Sequence, residues 1–159
     1  MPSERIKKYT DRLTAARTHL NTVLDQVPAD QWDRQIYSDG AQWTLRQLLI
    51  HLMLADKGQN NVVMGIAEGR EVIPADYDLE RYNKRSVEKQ ADATVDQARA
   101  SLAASRQQLL DWLNQSDDSI LDQQGRHASM QILTVAQIFN VMAGHETSHA
   151  DDIARFLAG

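Results

Sequence analysis

The chain has 159 residues, of which 42% are hydrophobic and 25% charged, and a formal net charge of −5. That length and balance suit one globular domain with its own core, read here as residues 1–159. The negative charge and the lack of a basic stripe argue against a nucleic-acid or anionic-membrane partner. The absence of cysteine excludes disulfides and thiolate metal ligands.

Met1-Pro2-Ser3-Glu4-Arg5 opens straight into an amphipathic segment, with no signal peptide read before it. The longest apolar stretch, residues 48–55, is short and interrupted by His51, which argues against a membrane span. The expected location is cytoplasmic. With only seven Gly and three Pro, the composition favours long helices.

Ile6, Tyr9, Leu13, Ala16, Leu20, Val23 and Val27 recur at steps of three and four, the stripe of a long bundle helix that Pro28 closes. Arg5, Lys7 and Lys8 read as its solvated face. Residues 30–40 read as a connection. Trp43-Thr44-Leu45-Arg46-Gln47-Leu48 then fits a capping box, in which Thr44 caps and Gln47 reaches back. The helix it starts is expected to run to about Ala67 and stop at Gly69. Leu79, Tyr82 and Ser86 suit a short helix. Thr94 and Gln97 repeat the capping pattern before a helix carrying Val95, Ala98, Leu102, Leu109 and Trp112, which frays near Ser116. Residues 117–133 are the least regular stretch, with Gly125 read as a turn. Thr134 and Gln137 start the last helix, whose stripe is Ile138, Met142, His145, His149, Ile153 and Phe156. Four long amphipathic helices predict an all-α fold, a four-helix bundle, with helix order left open by the long connections.

His145 and His149 stand one turn apart, so their imidazoles share the inward face. Buried imidazoles need partners for their ring nitrogens. Two core histidines bonded to backbone or carboxylates would meet that need, and so would one metal ion held by both. His51, among Leu48, Leu52 and Ala55, also faces inward and is the best third ligand. His19 reads as a flank residue and His127 as a surface loop residue.

His145-Glu146-Thr147-Ser148-His149 also reads as H-E-x-x-H, the zinc-protease signature. The metzincin continuation needs Gly and His where this chain has Asp152 and Arg155, and no Glu follows His149. The protease reading therefore gives way. Glu146 becomes a helix-surface or outer-sphere carboxylate, and Asp152, one turn beyond His149, could orient an imidazole or simply be solvated.

The run from Trp43 to Leu52, with a Trp entering the helix and His51 followed by Leu, the pair Tyr82-Asn83, and the last-helix pair His145 and His149 together resemble the DinB-like (DinB/YfiT-like) helical-bundle family. The resemblance spans nearly the whole chain. It implies a four-helix bundle, often a homodimer, with one divalent metal on His51, His145 and His149 and positions left for water or substrate. Relatives include transferases and isomerases that use bacterial low-molecular-weight thiols. Where relatives often have Gln three residues after the last ligand, this chain has Asp152.

A His-only donor set suits Zn or Ni, with Fe or Mn also compatible. The expected function is a metal-dependent enzyme acting on a small molecule, either thiol-dependent and S-transferase-like or a hydrolase. Trp43, Tyr82 and Asn83 could line its pocket. A metal-binding or interaction bundle without turnover, and a metal-free bundle with three satisfied histidines, remain the alternatives.

Overall fold

The computed structural model describes residues 1–37 and 41–159. Its helices are α1 (Glu4–Leu24), α2 (Leu45–Ala67), α3 (Leu79–Lys89), α4 (Val95–Asn114) and α5 (Val135–Ala158). The expected connection over residues 30–40 is described as far as Tyr37, and Ser38, Asp39 and Gly40 lie outside the described residues. No helix among the described residues is long and apolar enough to cross a membrane.

Three helices begin in the way their sequences predict. Thr44, Thr94 and Thr134 each accept a hydrogen bond from the backbone N–H three residues on, and Gln47, Gln97 and Gln137 return the bond to the threonine N–H. Each box satisfies two donors that a first turn otherwise leaves open, and a good cap contributes about 1 kcal/mol. Ser3 caps α1 and Asp78 caps α3. α1 ends at Leu24, a turn before Pro28, and α2 ends near Gly69, which takes a left-handed φ of +76°.

The apolar side chains fall into two clusters. One holds Leu13 of α1, Val63 of α2, Leu109 of α4 and Phe139 of α5. The other holds Leu20, Leu49, Leu102 and Ile153 from the same four helices. Residue numbers rise from the first cluster to the second in α1 and α5, and fall in α2 and α4. The bundle is therefore up-down-down-up, with α1 packed chiefly on α5 and α2 on α4. Because α2 and α4 run parallel, the chain between them must return the length of the bundle, and α3 lies in that return, against α2.

Between the two clusters lies a polar layer. Arg17 (α1), Asp56 (α2), Arg106 (α4) and Glu146 (α5) are 7%, 4%, 4% and 5% exposed. Arg17 donates to Glu146 through Nη2 at 2.7 Å and Nε at 3.3 Å, and to the Leu102 carbonyl at 2.7 Å. Arg106 donates to Asp56 at 3.0 Å, to the Leu13 carbonyl at 2.9 Å, and to Glu146. Ser105 donates to the other Asp56 oxygen. Two cations meet two anions, so the layer is neutral. This corrects the expectation for Glu146: it is not on the helix surface, and its buried carboxylate bonds Arg17 and Arg106 inside the bundle.

The stretch over residues 117–133 also departs from expectation. It contains a 3-10 turn at Asp118–Asp122 and a hairpin of β1 (Gln124–Arg126) and β2 (Ile132–Thr134). Gly125 is a strand residue, not the turn. A Cβ there would stand 2.5 Å from Ile66 Cγ1, so this glycine lets the hairpin backbone close on α2. The turn proper is His127–Met130, closed by Met130 N–H donating to the His127 carbonyl at 2.8 Å, with Met130 at φ 72°.

Candidate metal centre

α2 and α5 meet just beyond the polar layer, on the side of the second cluster. There the structure brings together His51, His145 and His149. Their ligand-capable nitrogens all lie within 4.8 Å of one another. His51 Nε2 stands 3.3 Å from His145 Nε2, and His149 Nε2 stands 3.1 Å from the same atom. Three nitrogens sharing one tetrahedral ion at about 2.0–2.1 Å would sit about 3.3 Å apart. A single Nε2–H can satisfy only one of the two close approaches, whereas one ion satisfies all three nitrogens.

The imidazoles are held neutral, the state a metal requires. Burial, reinforced by the two neighbouring rings, pushes His51 down to about 3. Burial and then His149 push His145 down to about 4. Burial also lowers His149, against the opposing pull of Asp152. The Trp43 ring covers His51 at 4.6 Å between centroids.

A residue that the sequence pattern did not single out fixes the tautomer of His149. The Tyr37 hydroxyl donates to Asp152 Oδ2 at 2.5 Å and lies 2.8 Å from His149 Nδ1. Having given its only proton to the carboxylate, the hydroxyl accepts from Nδ1–H, which leaves the His149 Nε2 lone pair facing the cluster. Burial and the Asp152 carboxylate both raise the Tyr37 pKa and keep the phenol protonated. Asp152 thus reaches His149 through Tyr37, with Oδ2 itself 3.8 Å from Nδ1. Tyr37 is delivered by the connection after α1, where Ile36 N–H donates to the Trp43 carbonyl at 3.0 Å. The same pairing sets Trp43 over His51.

A cleft of about 450 Å³ opens on His51 and His145, within the usual range for small-molecule sites. Tyr82 and Asn83 line it, whereas Trp43 does not. His127, read from sequence as a surface loop residue, is buried in its wall, because the hairpin folds onto α2. His19 stays outside on the α1–α5 surface, 2.9 Å from Asp151.

The fold recurs in solved structures. YfiT from Bacillus subtilis, described as a probable metal-dependent hydrolase with an unusual four-helix bundle topology, aligns with a TM-score of 0.78 at 18% identity, over 98% of this chain and 87% of its own. A mycothiol-dependent maleylpyruvate isomerase aligns with a TM-score of 0.77 at 15% identity, over 93% of this chain. This chain spans only 60% of that enzyme. No curated protein matches by sequence. The sequence does match the DinB superfamily across residues 12–153, and the chain belongs to that family.

Proposed function

We propose that this protein is a divalent-metal-dependent enzyme in which His51, His145 and His149 hold one ion through Nε2 and a small-molecule substrate occupies the adjoining cleft. The spacing of the three Nε2 atoms, 3.3 and 3.1 Å, carries the reading. Zinc or nickel best suits three imidazoles. Such an ion supplies Lewis acidity, which acidifies a water or thiol nucleophile and polarises a substrate carbonyl. The chain's own part is to keep three imidazoles neutral, to hold His149 in the Nε2 tautomer through Tyr37 and Asp152, and to exclude water along the cleft. The hydrolytic and thiol-transfer forms share this arrangement and differ only in the nucleophile.

A bundle that bound metal only to tie α2 to α5 would need no cleft at the histidines, and the cleft favours catalysis over that reading. Elemental analysis of the wild type beside His51→Ala and His149→Ala tests the site. Metal is expected in the wild type and lost in both variants, and equal content in all three would sink it. Ester hydrolysis and thiol-adduct formation by the metal-loaded protein then identify the nucleophile. Turnover in neither assay would return the protein to the binding-module reading.

A further inference from the structure

The lining of the cleft is unusual for its lack of charge. Leu54, Val62, Ile73, Tyr77, Leu79 and Val141 contribute to it, and no Lys, Arg, Asp or Glu is among the lining residues described. A substrate carboxylate or phosphate lying in it away from the histidines would lose water without meeting a cationic side chain, at a cost of several kcal/mol. Beyond the two histidines of the candidate metal centre, its polar lining includes Gln59, Asn61, Asn83 and His127.

Two of these groups form an oriented pair. His127 Nδ1 accepts from the Ser129 backbone N–H at 3.1 Å, so Nδ1 carries no proton and the neutral ring is protonated at Nε2. Nε2–H then donates to Gln59 Oε1 at 3.1 Å. That bond fixes which way the Gln59 carboxamide faces: its oxygen is taken by His127, and its two N–H donors have no partner among the described residues. Gln59 lines the cleft, eight residues beyond His51 on α2, which places it about 12 Å further along the helix. The Tyr77 and Tyr82 rings, 5.6 Å apart, wall the cleft from the α3 side.

We infer that the cleft selects an uncharged, elongated carbonyl compound: its reacting end lies at His51 and His145, its apolar middle on Leu54, Val62 and Val141, and a second carbonyl oxygen at its far end accepts from the Gln59 amide. This substrate class rests on the proposed metal reading for the position of the reacting end. Gln59 acts here as a binding residue and His127 as a positioning residue behind it.

The probes that test this are three hydroxamic acids of one chain length, ending in an N,N-dimethylamide, a carboxylate or a hydrocarbon isostere. The hydroxamate is the metal anchor, and the dimethylamide offers an acceptor without a donor. Binding is measured by calorimetry on the full chain, zinc-loaded and zinc-free. The dimethylamide is expected to bind roughly 3- to 10-fold tighter than the hydrocarbon, the gain of one neutral hydrogen bond. The carboxylate is expected to bind at least about tenfold weaker than the hydrocarbon. Gln59→Glu keeps an acceptor for His127 but presents no N–H, so the dimethylamide should lose its advantage while the hydrocarbon probe still binds. Gln59→Leu should do the same without adding charge. Zinc dependence shared by all three tails, with equal affinities or the carboxylate tightest, overturns the substrate class and leaves the metal reading standing. Tail selectivity that survives without zinc and ignores it overturns the metal reading and leaves the cleft's selectivity standing. Binding of no probe in either state, or a dimethylamide advantage that persists in both Gln59 variants, overturns the inference.

Discussion

Glu146 occupies the general-base position of an H-E-x-x-H string, yet the structure sends its side chain into the polar layer. Glu146→Gln separates the two roles. In the layer, Glu146 accepts from Arg17 at 2.7 and 3.3 Å and also from Arg106, with all three side chains buried. The substitution leaves two buried guanidiniums facing one carboxylate, and it turns an amide donor towards a cation. Breaking a buried pair by removing one partner costs about 3–5 kcal/mol. In a chain of this size about 1 kcal/mol lowers the melting temperature by roughly 2–4 °C, so the expected fall is about 6–20 °C.

Two measurements check this. Urea unfolding of the zinc-free variant should show the loss of stability, and elemental analysis below the transition should find metal at the wild-type level. Metal is retained because the amide oxygen introduced by Glu146→Gln can still accept from Arg17 and Arg106 in the place of Oε1, so α5 keeps its height and rotation. A variant that unfolds like the wild type, within about 1 kcal/mol, would refute the layer as the home of Glu146. Lost metal binding at unchanged stability would put its carboxylate back beside the histidines.

Tyr37→Phe removes the acceptor that sets the His149 tautomer. Zinc affinity, read by competition with a chromophoric chelator, should fall about 10- to 100-fold, with Asp152→Asn falling similarly and the double variant little further; additive losses would mean that the two residues act separately. In the zinc-free protein His51 and His145 titrate at about 3 and about 4, below the ordinary histidine value of about 6.5. Between those limits the unfolded chain binds more protons than the folded one. Stability therefore falls as pH drops from about 6.5, with a slope approaching about 1.4 kcal/mol per pH unit for each histidine. Urea midpoints across this range should decline less steeply in His51→Ala, and parallel declines would contradict the buried neutral state.

Much of this could be read in the sequence because the signals are local. Each Thr-x-x-Gln box names its own helix start, and an apolar stripe reports a buried face whatever it packs against. The inward histidines were legible for the same reason. Tyr37 was not, because it acts from a connection with no periodicity, and its partners lie more than a hundred residues away. Gly125 misled because a glycine that permits a turn and one that permits close approach of two backbones look alike in sequence; only the contact with Ile66 tells them apart. The polar layer did leave a trace. Arg17 interrupts the run Leu13, Leu20, Leu24; Arg106 interrupts Leu102, Leu109, Leu113; Asp56 follows Met53; Glu146 falls between Met142 and Ala150. Each alone reads as a surface charge beside a stripe. As two cations and two anions, one on each core face, they predict a shared neutral layer.

That layer bears on the candidate metal centre through register. The leucines, valines and isoleucines on either side of it make non-directional contacts, which can be remade after one helix slides a turn, about 5.4 Å, past another. Histidine nitrogens 3.1 and 3.3 Å apart tolerate no such slide. The guanidinium bonds to Asp56, Glu146 and the Leu13 and Leu102 carbonyls are directional and span all four bundle helices. Asp56 lies five residues from His51 on α2, and Glu146 is the neighbour of His145 on α5. On a helix, adjacent residues point about 100° apart. Locking Glu146 into the layer therefore also turns His145 towards α2 and the cleft. The glutamate of the protease-like string thus acts structurally, setting the height and rotation at which α5 presents its histidines to His51.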